Sequence, residues 1–388
     1  MMKRLQAYKF RLEPTFAQQI LLKRFAGCAR VVWNKGLALQ QDLREKDEKK
    51  LSYAGLCKVL TTWRNDPETP WLAEASVDIQ QQILRDLETA YKRFFDKIAN
   101  FPRFKKKGDR DSFRFPQPKT IKLDQTNEKV LLPKLGWLSY RRSQKVQGLV
   151  RNVTVSRKAG QWYVSIQTER TVAQPRPNGV TAVGIDVGIV RFATLWDGKS
   201  ERIITPLNSF RRHENRLAIA QQKMSRKVKY SSNWKRAKAR VQRIQNQIAN
   251  VRNDFLHQTS NDISKNHAMI VIEDLKVKNM SRSASGTLVE PGRNVAAKSG
   301  LNKAILDQGW GEFRRQLTYK SDWNGAWLLP VPAMNTSREC PACGHTHADN
   351  RKTQSLFLCL ACGHTENADL VASKNIRERG LKLAQRPG

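Results

Sequence analysis

The sequence predicts a protein of mixed α/β and α+β class built from more than one domain, and three features carry that reading. The chain has 388 residues, enough for two or three separate cores. Its first half brackets a long helical stretch with strand-like alternation, whereas its second half opens on apolar strands, runs through long helices and returns to strands. A cysteine-rich segment is set between the last strand and the last helix.

Taken in order, LQAYKFRLEP alternates Tyr8, Phe10 and Leu12 against Lys9 and Arg11, the pattern of a half-buried strand. Pro14 and Thr15 open a helix whose apolar stripe includes Leu21, Leu22, Phe25, Cys28, Val32 and Trp33, and helical patterning continues to about Phe95. The stretch NFPRFKKKGDRDSFRFPQP then interleaves basic residues with Phe101, Phe104, Phe113 and Phe115, rings that could stack on unpaired bases or enter a core. RNVTVSRKAGQWYVSIQTE reads as a hairpin with Ala159-Gly160 at its turn. The linker TVAQPRPNG puts a domain boundary near residue 180.

Beyond it, TAVGIDVGIVRFATLWDGKSERIITP supplies two apolar strands flanking Gly188 and a turn at Asp197-Gly198. Trp234, Ala237, Val241, Ile244, Ile248, Val251 and Phe255 mark one face of a long helix, paired with the helix before it. AMIVIEDL is a short buried strand. A Gly/Ser-rich segment from Ser281 to Gly300 follows, either a mobile lid or a passive loop. A helix over roughly Leu301 to Tyr319, a strand around AWLLPVPA, the cysteine segment and a last helix at ENADLVASKNIRERG complete the order.

Charge narrows the partner. Lys and Arg number 70 against 34 acids, a formal net charge of +36, and between Phe210 and Arg252 thirteen basic residues face a single acid, Glu214. That excess implies a polyanion, and nucleic acid rather than membrane. The N-terminal MMKRLQAYKF has no apolar signal core, and no apolar run approaches the ~20 residues of a spanning helix. Cysteines in metal-type pairs, with Cys28 and Cys57 alone, suit a reducing cytoplasm, where such a chain would sit with the bacterial nucleoid.

Three acids stand out against this basic and apolar background. Asp186 is embedded in VGIDVG, Glu273 ends MIVIE, and Asp369 lies in the first turn of the last helix. Each has a plainer reading: a turn with Gly188, a helix cap at Glu273-Asp274, a favourable charge at a helix start. A carboxylate inside a buried strand is costly unless paired or metal-bound. Two strands and a C-terminal helix can bring all three to one point of a sheet, where they would hold Mg²⁺ or Mn²⁺. Two such ions clamp the attacking and leaving oxygens of a phosphodiester displacement. With a polyanion-binding chain, this points to a nuclease.

Cys340, Cys343, Cys359 and Cys362 form Cys-x₂-Cys-x₁₅-Cys-x₂-Cys, the spacing of a zinc ribbon. Four thiolates close the Zn²⁺ tetrahedron and leave no open position, so the metal is structural. His345, His347 and His364 are read as ordinary knuckle residues. The ribbon then acts as a clip whose folding presents Asp369 to the other two acids.

GIDVG, VIEDL, SRECPACG…FLCLACG and ADLVASKNI, with FPRFKKKG and KFRLEP, together resemble the TnpB family, nucleases encoded by insertion sequences and related to type V CRISPR effectors. The resemblance spans essentially the whole chain. It implies a RuvC-type (RNase H-like) nuclease domain at 180–334 and 364–380 with Asp186, Glu273 and Asp369 as metal ligands, and an inserted zinc ribbon at 335–363. It further implies a β-barrel wedge domain at 1–13 and 100–175, a helical recognition domain at 14–99 and a tail at 381–388. It implies a guide RNA from the transposon end, and cutting of double-stranded DNA beside a short adjacent motif. The chain departs from the family pattern at Val371, where Asn is frequent. Two other classes share these features: a nuclease-inactive, RNA-guided DNA-binding repressor, which would have lost one of the acids, and a transposase performing strand transfer.

Overall fold

The computed structural model describes residues 1–385 except 178 and 180. The boundary expected near residue 180 and the end of the expected tail, 386–388, therefore fall outside the described residues. The chain divides into two compact units, Met1–Ala173 and Gln174–Gly388.

In the first unit, β1 (Met2–Leu12) buries Tyr8, Phe10 and Leu12 and exposes Lys9 and Arg11. Helix α1 (Phe16–Glu45) starts where Thr15 and Gln18 cap each other's backbone amides reciprocally. With α2 (Tyr53–Asn65) and α3 (Val77–Phe95) it forms a helical insertion, which shares one core with the strands that follow. Those are β2 (Ser112–Phe115), β3 (Lys122–Asp124), β4 (Lys129–Leu132), β5 (Gly136–Arg141), β6 (Leu149–Lys158) and β7 (Gln161–Val172). All seven strands make one antiparallel sheet of order β2-β6-β7-β1-β5-β4-β3. Among the described residues no ladder joins the edge strands β2 and β3. Ala159 and Gly160, both at positive φ, turn β6 into β7 as a two-residue hairpin loop. Phe113 and Phe115 are core residues, Phe101 packs against that core, and Phe104 is exposed, so the four rings divide between packing and surface.

The second unit carries β8 (Ala182–Val187), β9 (Ala193–Trp196) and β10 (Glu201–Ile204) as an antiparallel meander. After α4 (Ser209–Ser225) and α5 (Ser232–Asn266), β11 (Met269–Glu273) pairs parallel with β8; later β12 (Trp327–Val331) pairs parallel with β11. The order is β10-β9-β8-β11-β12. Helices α4 and α5 pack as a pair through Leu217, Ala220, Val241, Ile244 and Ile248. Val251, expected on that face, lies outside this cluster and is 39% exposed, because α5 has by then passed the end of its partner.

Three expected boundaries change. The helix expected over about Leu301 to Tyr319 is two helices, α7 (Val295–Gln308) and α8 (Trp310–Asn324), broken at Gly309, whose φ of +73° ends one and begins the next. The Gly/Ser-rich segment is structured at both margins, since α6 (Val277–Met280) precedes it and its last residues belong to α7. The cysteine segment contributes the hairpin β13 (Leu356–Leu358) and β14 (Thr365–Asn367), and α9 (Ala368–Ala384) closes the fold, running four residues into the stretch expected as a tail.

The two faces of the parallel strands have different neighbours. Val183, Ile185, Val187, Ile270 and Ile272 point into a core with Leu256, Ile263, Phe313 and Leu317 of α5 and α8. The opposite face carries α9, which packs through Ile376 against Val271 and Val331.

Candidate active site and cysteine knuckle

Close approach of α9 to the sheet is made possible by two glycines. A Cβ on Gly184 of β8 would lie 2.1 Å from the Ser373 carbonyl, and one on Gly380 of α9 would lie 2.3 Å from a Val271 methyl. Gly184 and Asp186 share one strand face, as do Val271 and Glu273, because side chains alternate. Both acids therefore project toward the face that α9 covers. The parallel register pairs Ile272 with Ile185, which sets Glu273 and Asp186 level at the C-terminal ends of adjacent strands. Asp369 occupies the first turn of α9 beside them. Gly184→Ala is expected to destabilise the chain by about 1–3 kcal/mol or more, since neither contacting backbone group can move away without shifting α9. Gly311→Ala, in open space on α8, is the control and is expected to hold or raise the melting temperature.

The electrostatics follow from this placement. Burial pushes the Asp186 carboxyl well above the usual carboxylate range; Glu273 and Asp369 push it further, while Arg351 opposes. Burial also raises Glu273, whose Oε1 accepts a 2.6 Å hydrogen bond from the Thr336 hydroxyl. Asn367 caps α9, its Oδ1 accepting from the Asp369 and Leu370 amides. Asp186 thus feels both other acids, yet the three carboxylates are not drawn into a tight cluster. Among the described residues only the four cysteines bring three or more potential metal-ligating atoms within 4.8 Å of one another. Buried like charges repel, and a divalent cation among oxygen donors is what would draw them together.

Sequence reasoning missed Arg351. It stands between the two cysteine pairs, its Nη2 donates to the Gln354 carbonyl, and the same nitrogen lies 3.7 Å from Asp369 Oδ1. Beside Lys352 it reads as ordinary surface charge, with no pattern to single it out. Asn367 had a legible signal, an Asn just before a helix.

The knuckle is built twice over by the same local geometry. The Cys340 amide donates to the His345 carbonyl and the Gly344 amide to the Cys340 carbonyl; Cys359, His364 and Gly363 repeat both bonds. Cys340 Sγ lies 3.7 Å from Cys362 Sγ, and Cys343 Sγ lies 3.6 Å from Cys359 Sγ. Ligands ~2.3 Å from a tetrahedral zinc are about 3.8 Å apart, so the sulfurs fit that ion. Cys340, Phe357 and Cys359 share a small core with Ala368 and Val371 of α9. Val371 is fully buried there, an apolar anchor joining the knuckle to the helix that bears Asp369.

With this geometry established, comparison with known proteins gives consistent results. Residues 161–284, from β7 past Glu273, match a family described as "Probable transposase" (OrfB_IS605). Residues 310–376, which hold the knuckle, Arg351 and Asp369, match a Cas12f1-like TNB domain. Residues 1–49 match a family described as a helix-turn-helix domain, although here they form one strand and one long helix. The chain is 51% identical, over 98% of its length and 93% of the relative's, to an Escherichia coli K12 protein named "Putative RNA-guided DNA endonuclease InsQ". A Streptomyces pristinaespiralis protein of the same description is 34% identical over 97% of this chain and 89% of its own. A solved Cas12f1–sgRNA–target DNA complex shares the fold at a TM-score of 0.58 with 11% identity, covering 97% of this chain and 99% of that one. These matches define a class of insertion-sequence proteins related in fold to Cas12f effectors. The chain belongs to the TnpB family.

Proposed function

We propose that this protein is an RNA-guided DNA endonuclease of a transposable element, cutting double-stranded DNA beside a short adjacent motif by metal-assisted phosphodiester hydrolysis. The observation that carries it is the meeting of Asp186, Glu273 and Asp369 at one sheet end in a chain 51% identical to the Escherichia coli relative. The unit holding them corresponds to a RuvC-type, RNase H-like nuclease with the cysteine segment as its inserted zinc ribbon; the seven-stranded sheet and its helical insertion correspond to wedge and recognition domains. The acids supply only oxygen donors, the set that hard cations such as Mg²⁺ or Mn²⁺ take. Held there, such ions would activate the attacking water and stabilise charge on the leaving oxygen. Thr336 holds Glu273 in place through its hydroxyl, and Arg351 carries a guanidinium next to Asp369, where it can donate to a phosphate oxygen of the substrate. All three acids are present, which favours an enzyme over an inactive DNA-binding repressor.

Partner contacts fall on the helix pair. Arg216, Arg236, Arg240 and Arg243 line a groove of about 540 Å³ between α4 and α5 with no acid among them. This is a surface for phosphates, leaving sequence to base pairing with a guide derived from the transposon end. Binding of the co-purifying RNA is expected to weaken steeply with salt, by about −0.7 to −0.9 in log affinity against log salt per phosphate contacted. Arg240→Ala is expected to lower that slope by about one. Nearly flat salt dependence in filter binding would sink the assignment of this surface. The functional test is direct. RNA purified with the chain is sequenced, its guide segment is replaced, and a plasmid matching the new guide is incubated with the complex and Mg²⁺. Cut plasmid supports the reading; joined donor–target products would identify a strand-transferring transposase instead.

A further inference from the structure

Near the C-terminal ends of α1 and α3 lies a cavity of about 370 Å³ that the cleavage reading does not use. Its size is at the lower end of the range for small-ligand sites, ~300–1,000 Å³. Aromatic rings form much of it. Tyr91 and Phe95 stack with centroids 6.3 Å apart, and Phe101 meets Tyr91 edge-on at 5.6 Å and Phe94 at 5.2 Å. Phe95 is 64% exposed, a large apolar surface to leave in water. Tyr91 is 5% exposed, and its hydroxyl is buried with no hydrogen-bond partner. A buried hydroxyl left unpaired is costly, and a ligand with a polar edge would satisfy it.

We propose that this cavity takes one unpaired nucleobase of a bound single strand, with its backbone phosphate held at the mouth by Arg44 and Lys50. The proposal rests on the reading of the chain as an RNA-guided nuclease. Flat ring faces suit a heterocycle, and every base has a π-face. The four charged residues of the lining, Arg44, Asp47, Glu48 and Lys50, are all exposed, so the interior between the rings is uncharged and suits a neutral base, while the two cations can reach its phosphate outside. The Tyr91 hydroxyl is closed off in this structure, and a base that displaces Lys50 from the ring would give it a partner, since it can donate to a ring carbonyl or accept from an exocyclic amine. Lys50 Nζ now lies 4.4 Å from the Tyr91 ring centroid and 5.8 Å from that of Phe95, so it covers the position a stacked base would occupy. Its flexible stem lets it swing to the phosphate as the base enters.

The test uses the purified full chain with a uracil-rich oligoribonucleotide carrying 5-iodouracil, its deoxy counterpart, and a duplex of the same sequence. After irradiation, the single strand is expected to cross-link to Tyr91, Phe94, Phe95 or Phe101, and the duplex is not. Stronger labelling by the ribo- or the deoxy-strand identifies whether RNA or displaced DNA is the source. Phe95→Ala, whose ring is mostly in water, is expected to fold normally and to bind the single strand about tenfold more weakly, the value of one stacked base, while duplex binding is unchanged. Tyr91→Phe removes only the hydroxyl and is expected to alter preference among homopolymeric strands. Single-strand binding unchanged in Phe95→Ala, with adducts confined to other parts of the chain, overturns the inference and leaves the nuclease reading standing. Competition by tetramethylammonium chloride but not by nucleoside monophosphates would make the cavity a cation cage and likewise overturn it. A wild-type chain that binds no strand at all overturns both.

Discussion

Asp186→Ala and Glu273→Gln are each expected to abolish DNA cleavage while guided DNA binding stays close to wild type. Both side chains sit at the ends of adjacent parallel strands on the face covered by α9, and Asp186 feels both Glu273 and Asp369. On the proposed mechanism, removing either carboxylate removes an oxygen donor from the site where charge must be balanced during phosphodiester displacement. A loss of several kcal/mol in transition-state stabilisation is the scale to expect, and each ~1.4 kcal/mol is tenfold in rate. Folding is not expected to suffer, because both carboxylates are held against the cost of burial and Asp186 also against the nearby acids, and neutralising one relieves that cost. Binding is expected to survive because, on the proposed reading, it rests on base pairing and on phosphate contacts at surfaces such as the α4–α5 groove, away from these acids. The measurement is a cleavage assay with Mg²⁺ beside a gel shift on the same guided target, with melting temperatures for all three proteins. A variant that cuts at near wild-type rate, or that fails to cut only because it no longer binds, shows that these acids are not the reacting centre.

What the sequence made legible was the local part of this site. Alternation located the strands around Asp186 and Glu273, and cysteine spacing located the knuckle, because both signals repeat over a few residues. What it did not make legible depends on contacts between distant segments. Gly184 and Gly380 look like ordinary glycines in VGIDVG and RERGLK, and their role as the places where α9 touches the sheet appears only when strand and helix are superposed. Gly309 carries no neighbouring signal strong enough to split an otherwise helical run. Arg351 has no periodicity, and only the folded knuckle carries it to Asp369. The ring cluster at Tyr91 was half visible, since Phe101 stood out among basic residues, but its partners Phe94 and Phe95 read as the end of a helix. Val371 is a related case: a departure from the family pattern that is explained once Cys340, Phe357 and Cys359 are seen packing on it.

That packing makes the knuckle the second place where one substitution has a large effect. Cys343→Ser is expected to lose the bound zinc, reducing metal content from about one ion per chain to near zero. Sulfurs 3.6 and 3.7 Å apart in pairs, all four within 4.8 Å, form a closed site, and replacing one thiolate with a hydroxyl opens it. Structural zinc contributes roughly 10–16 kcal/mol of apparent binding energy in small cysteine domains, and that energy is folding energy. The hairpin of β13 and β14 is too short to hold together without it. Loss propagates along a definite route: Cys340 and Cys359 share a core with Ala368 and Val371, so the first turn of α9 loosens, and with it Asp369 and the nearby Arg351. Hydrogen exchange is expected to speed up over 338–371 while α4 and α5 keep their protection, and cleavage falls much further than RNA binding. His345→Ala is the control. The knuckle uses the His345 backbone carbonyl, and the side chain is not one of the four ligands, so zinc is expected to stay. Active wild-type protein without zinc by elemental analysis, or Cys343→Ser retaining both metal and cleavage, would refute the knuckle's role; loss of zinc in His345→Ala would refute the four-cysteine ligand set.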